Sequence, residues 1–211
     1  MTRVEERSAP KGRAEGAPDD WASWAAVQFR ASISPKEAIL ADAEAMEQVA
    51  QVLALAFSVV KSGRKILVCG NGGSAADAQH IAAELVGRFE RERRAYPALA
   101  LSENVSALTG IGNDYDFTRI FARQVEAFGQ AGDLLVCLST SGNSINVVQA
   151  AQRARELGLF TVALTGADGG RLAEVADVAI RVPSRHTPRI QETHLLLGHL
   201  LAAAAERGIG E

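Results

Sequence analysis

Five short, largely apolar runs constrain this chain more than any other feature: residues 65–69, 98–101, 133–138, 160–165 and 177–182, each closed by Gly, Ser, Asn or Pro. They are continuous rather than alternating, the pattern of strands buried on both faces of a sheet. Between them the apolar period lengthens to that of helices, over 75–88, 104–111, 117–128, 145–157 and 187 to about 207. Gly158 stands where a helix C′ glycine belongs, and Thr187-Pro188 pairs an N-cap with proline at the first helical position. Strands alternating with helices at this spacing predict an α/β fold, a mostly parallel five-stranded sheet covered on both faces.

Upstream of the first strand the chain becomes helical from Trp21. Ser34-Pro35-Lys36-Glu37 supplies an N-cap, a proline at the first position and a Glu at N3, predicting a long helix to about Lys61. Ile39, Met46, Val49, Val52, Leu53 and Ala56 recur along it at three- and four-residue steps, so one face is expected to pack. Residues 1–20 mix Arg, Glu, Ala, Pro and Gly with no apolar segment and are expected to form a disordered tail. The division that follows is a tail over 1–20, N-terminal helices over 21–61 and one ligand-binding domain over 62–211.

Composition removes several function classes. With 22 Lys and Arg against 25 Asp and Glu, the net charge of -3 provides no basic field for a nucleic-acid backbone. Cys69 and Cys137 both fall inside expected strands, so neither a disulfide framework nor a Cys-rich zinc site is available, which suits a reducing cytoplasm. No run reaches the roughly twenty apolar residues of a membrane span, and Glu47, Gln48 and Gln51 interrupt the longest helical stretch. Aromatic residues make up only 5%, which favours closely packed helices over a carbohydrate-stacking surface. Four His therefore stand out.

In open parallel sheets ligands bind beyond the carboxyl ends of the strands, where helix N-termini offer free N–H groups. Two loops occupy such positions. Gly70-Asn71-Gly72-Gly73-Ser74 lets backbone approach an anion, and Ser139-Thr140-Ser141-Gly142-Asn143-Ser144 gathers hydroxyls at a helix start. Either loop alone also fits a tight turn or an N-cap cluster. Both together, without a Walker lysine or a G-x-G-x-x-G pattern, point to a phosphate monoester such as a sugar phosphate rather than a nucleotide. His80 and Glu84, four apart on the helix after the first loop, project from one face and can share a metal or a substrate. On the last helix Gln191 and His199 lie on nearly the same face. His194 reads as a core residue and His186 as solvent-exposed.

These residues resemble the sugar isomerase (SIS) domain and, within it, the bacterial phosphoheptose isomerases. The carriers are Cys69 to Ser74, Asp77-Ala-Gln-His80 with Glu84, Gly112-Asn-Asp114, Ser139 to Ser144, Leu164-Thr-Gly with Asp168-Gly-Gly170, and Arg189-Ile-Gln-Glu192 with His199. The match runs from about Ser34 to Ala205. It implies a three-layer αβα, flavodoxin-like subunit in a homotetramer, with active sites at subunit interfaces. The implied reaction converts sedoheptulose 7-phosphate into D-glycero-D-manno-heptose 7-phosphate, the first step of bacterial ADP/GDP-heptose synthesis, which leads to lipopolysaccharide, in the cytoplasm. By the same resemblance Asn71, Gly72, Gly73, Ser74, Ser139, Thr140, Ser141 and Ser144 contact substrate, mostly its phosphate, while Asn113 and Asp114 meet sugar hydroxyls. Glu84 and His199 become the catalytic acid/base pair, and Gln191 and Glu84 touch both substrate and metal. His80, Glu84, Gln191 and His199 match a zinc site with one ion per subunit.

Eight residues of regular helix rise about 12 Å, so bringing Gln191 and His199 to one ion requires an irregular first turn or a second subunit. Two alternatives share the resemblance. A binding protein of the DnaA initiator-associating type would lack counterparts of Glu84 and His199, whereas this chain has both. An SIS enzyme for another sugar phosphate would differ around 189–199.

Overall fold

The computed structural model describes residue 18 and residues 20–209, so the expected tail falls almost wholly outside the described residues. Asp20, assigned to that tail, instead caps the first helix, α1 (Trp21–Ala41), its carboxylate accepting the Ala22 N–H at 2.9 Å. The Ser34-Pro35 start is therefore overturned: Pro35 sits buried inside α1, which tolerates the one ladder bond a proline cannot donate. The break comes at Asp42, whose side chain accepts from Glu44 and Ala45 and opens α2 (Ala43–Lys61). A carboxylate at each true start satisfies two helix ends that the Ser-Pro signal does not reach.

The remaining elements follow in alternation. They are β1 (Ile66–Gly70), α3 (Gly73–Val86), β2 (Ala98–Ala100), α4 (Val105–Asp114), a 3-10 turn (Phe117–Arg119), α5 (Ala122–Phe128) and β3 (Leu134–Ser139). After these come α6 (Ile145–Glu156), β4 (Phe160–Thr165), α7 (Gly170–Val175), β5 (Val178–Arg181) and α8 (Thr187–Gly208). All five strands are parallel, in the order β2-β1-β3-β4-β5. This is the flavodoxin-like winding, with its topological switch point between β1 and β3.

Three local expectations change. The helix expected over 117–128 is split, because Asp116 caps a 3-10 turn and the buried Gln124 amide donates to the Ile120 and Leu101 carbonyls. Helix α7, six residues long, is additional. Thr187 is the first residue of α8 rather than its cap, which falls on His186, while Pro188 lies in the first turn as expected.

Side chains alternate along each strand into two apolar cores. Ile66, Val68, Val136, Leu138, Val162 and Leu164 face α2, α3 and α8. Leu67, Cys69, Leu135, Cys137 and Ala163 face α5 and α6. Helix α2 does reach the length and hydropathy of a membrane span, contrary to the sequence reading. Its apolar face is nevertheless spent in the core, where Val49, Val52, Ala56, Val59 and Val60 are buried against the sheet and α8.

Candidate functional site

The two donor-rich loops leave the carboxyl ends of β1 and β3, neighbours in the sheet, and so flank the switch point. Neither α3, whose cap position is Gly72, nor α6, whose cap position is Ser144, receives a side-chain cap hydrogen bond. The N–H groups of Ser74, Ala75, Val147 and Val148 bond to carbonyls of the loops, which leaves those of Gly73, Ile145 and Asn146 for an anion, and no serine side chain caps either helix. Ser139 is buried and donates to the Ser144 hydroxyl at 3.1 Å, while Thr140 is half-buried and Ser141 exposed. Gly142 has φ +65°, and a Cβ there would strike the Gly169 carbonyl, so Asp168-Gly-Gly170 is the backbone wall against which the serine loop closes. A cavity of about 290 Å³ opens beside it, lined by Thr140, Ser141, Asp168 and Arg185 among others.

Asn71 does not stand free. Its carboxamide exchanges two hydrogen bonds of 2.9 Å with that of Asn146 on α6, tying the first loop to the second. Nothing local in the sequence marks Asn146, whose partner lies 75 positions away. Gly72 and Gly73 are exposed and Ser74 is buried. The Gln191 side-chain amide fills the space a Cβ on Gly73 would take. Gln191 therefore stands at the loop, at the opening of the regular helix α8.

Farther along α3, His80 and Glu84 meet His199 of α8. The His80 Nε2 lies 3.1 Å from Glu84 Oε1 and 3.0 Å from His199 Nε2, and the three donor atoms all fall within 4.8 Å of one another. The Phe89 ring stacks on His199, centroids 5.6 Å apart and planes 21° apart. Beside them, burial pushes the Asp77 carboxyl up against the pull of nearby His80, and its Oδ2 has no hydrogen-bond partner. Asn113 and Asp114 are exposed at the end of α4 and bonded to each other at 2.9 Å. Among the described residues no hydrogen bond joins them to the loops or to the His80 cluster.

Two imidazole nitrogens and a carboxylate oxygen are the donor set zinc takes, at about 2.0–2.2 Å from each. Two such ligands on a tetrahedral ion stand about 3.3 Å apart, close to the 3.0 and 3.1 Å observed. His80, Glu84 and His199 fit a metal ion. Gln191 is separated from them in this chain by two turns of α8. His194, buried against the Thr165 carbonyl at 3.1 Å, is a core residue, and His186 is exposed.

A model of the SIS domain matches residues 31–166. The chain is 48% identical over 181 residues to a phosphoheptose isomerase of Clostridium acetobutylicum, covering 86% of this chain and 92% of that protein. It is 54% identical over 158 residues to one from Rhodospirillum rubrum, covering 75% and 84% respectively. Among solved structures, a phosphoheptose isomerase from Neisseria gonorrhoeae superposes with a TM-score of 0.82 at 43% identity, over 89% of this chain and all of the other.

Proposed function

The chain belongs to the SIS domain family and stands within it among the phosphoheptose isomerases, and on that premise we propose that it interconverts sedoheptulose 7-phosphate and D-glycero-D-manno-heptose 7-phosphate. The observation that carries the reading is the convergence of Glu84, on the helix that opens at one of the two donor-rich loops, with His199. A binding-only role of the DnaA initiator-associating type gives no reason for that acid/base constellation.

The substrate phosphate would lie between the loops, taking N–H groups at the starts of α3 and α6 and the hydroxyls of Ser74, Ser139, Thr140, Ser141 and Ser144. The Asn71–Asn146 pair keeps the loops in register. Gln191 and, at the end of α4, Asn113 and Asp114 would take sugar hydroxyls. With the phosphate fixed, C1 and C2 of the ketose reach Glu84, which removes a proton from C1 while His199 protonates O2. The resulting enediol collapses when His199 accepts the O1 proton and Glu84 returns a proton to C2, leaving the aldehyde at C1. Zinc, one ion per subunit, would supply Lewis-acid polarisation of the carbonyl. His80, Glu84 and His199 would hold it, Gln191 could join them only from a second subunit, and Glu84 can serve as ligand or base but not both at once.

A homotetramer with sites at subunit interfaces suits the surface of the N-terminal helices. Trp21, Trp24, Phe29, Ile33 and Leu40 of α1 are exposed, and an apolar groove lies between α1, α2 and α8. Cys69 and Cys137, buried free thiols with Sγ atoms 3.8 Å apart, fit the reducing cytoplasm, where the product would enter heptose and lipopolysaccharide synthesis.

The test is incubation with sedoheptulose 7-phosphate beside fructose 6-phosphate, with the aldose phosphate products identified by NMR. Turnover of the heptulose alone is expected. Turnover of the hexose alone would assign the chain to another sugar phosphate.

A further inference from the structure

The His80–Glu84–His199 cluster spans two helices, so its geometry depends on what holds α3 against α8. One contact does this from the far end of both helices. Glu206 lies seven residues beyond His199 on α8, two turns on and on the same face. Its carboxylate accepts the backbone N–H groups of Phe89 at 3.2 Å, Glu90 at 3.1 Å and Arg91 at 3.2 Å, and Arg93 Nε at 3.2 Å. Arg93 in turn caps the carboxyl end of α3. Its guanidinium donates to the carbonyls of Glu84 at 2.8 Å, Leu85 at 2.9 Å and Gly87 at 2.8 Å. Those carbonyls lack partners within the helix.

Both side chains are out of water, 5% exposed for Arg93 and 2% for Glu206. Burial opposes ionisation of Glu206, yet the N–H groups of residues 89–91 and the Arg93 guanidinium together hold its carboxyl below the usual range. The segment it grips carries Phe89, whose ring stacks on His199, and the residue that Arg93 caps first is Glu84 itself.

We propose that Arg93 and Glu206 are positioning residues, a buried clamp that fixes the end of α3 on α8 and through Phe89 and the Glu84 backbone sets the spacing of His80, Glu84 and His199. For its catalytic readout this rests on the isomerase reading; for its metal readout it does not. Breaking the clamp leaves the phosphate loops, at the other end of α3, untouched.

The experiment compares Glu206→Gln, Glu206→Asp and wild type in kcat, KM for sedoheptulose 7-phosphate, and zinc affinity by competition with a chromophoric chelator. Val162→Ala, in the core of β4 and away from the site, serves as a control destabilised without touching the cluster. Supporting residues of this kind shift metal affinity by about 10–100-fold. For Glu206→Gln we expect a loss in that range, with kcat reduced about tenfold or more and KM within about twofold. Glu206→Asp, which keeps the charge, should recover part of both, and Val162→Ala should show neither loss. Should Glu206→Gln not accumulate as folded protein, Phe89→Leu keeps the ion pair, removes the ring from His199 and must show the same losses. Zinc affinity and kcat unchanged in a folded variant would overturn the proposal. A wild type inactive on the heptulose but with zinc affinity that falls in Glu206→Gln would refute the isomerase reading and leave the clamp standing.

Discussion

His80 on α3 and His199 on α8 face each other with their Nε2 atoms 3.0 Å apart, Glu84 Oε1 completing the group at 3.1 Å from His80. A hydrogen bond between the two nitrogens uses one hydrogen, whereas a metal ion takes a lone pair from each at once. Protein purified without chelator should contain about one zinc per chain. His80→Ala should lose it, as read by elemental analysis after dialysis. Full zinc content in the variant would place the ion elsewhere.

The reciprocal amide pair of Asn71 and Asn146 makes a second prediction. Asn146→Leu leaves the half-buried Asn71 carboxamide without its partner, at a cost of about 1–3 kcal/mol. Because the pair ties the two phosphate loops together, KM for the sugar phosphate should rise severalfold while zinc content stays unchanged. An unchanged KM would mean that the loops hold their register without it.

Gly198 lies beside His199, where α8 packs on Ile81 of α3. A Cβ there would stand 2.6 Å from two side-chain atoms of the buried Ile81. Gly198→Ala should therefore push the helices apart, destabilise the fold by about 1–3 kcal/mol and lower turnover. Adding Ile81→Val, which removes one of the clashing atoms, should restore part of both. A single variant as stable and active as wild type would show that the spacing is not set here.

His194 gives a pH prediction. Burial, opposed in part by the bond to the Thr165 carbonyl, pushes its imidazole down to about 4. In the unfolded chain the same group protonates near its ordinary value of about 6.5. The stability that neutral His194 contributes is thus complete above about 6.5 and is lost as pH falls towards about 4, roughly 3 kcal/mol in all. His194→Gln, which can still donate to Thr165, should flatten the fall in urea midpoint between pH 7 and 4.5. A variant whose midpoint falls as steeply as wild type would remove His194 as the source.

Much of this was legible in local pattern. Continuous apolar runs located all five strands, and β4 has the expected bounds because Gly158 and Gly166 delimit it. The loops after β1 and β3 and the His80–Glu84 step were visible because a turn and an i,i+4 face are encoded within a few residues. The helix start was misplaced because Ser34-Pro35 imitates a cap, while the carboxylates of Asp20 and Asp42 do the capping. Asn146, Phe89, Arg93 and Glu206 were not legible at all. Arg93 and Glu206 are 113 residues apart, and no periodicity records a partner that only the fold brings near.

Proton transfer through an enediol by Glu84 exposes the transferred hydrogen to solvent, and deuterium uptake from heavy water reads it. Wild type and Glu84→Gln are incubated with sedoheptulose 7-phosphate, and C2 of the aldoheptose product is read by NMR. Wild type should form product carrying solvent deuterium at C2, while the variant should bind the sugar phosphate and form none. Wild-type product that keeps the C1 hydrogen at C2 would mean that Glu84 returns the proton it removed before water exchanges it, whereas product from Glu84→Gln at the wild-type rate would contradict the account.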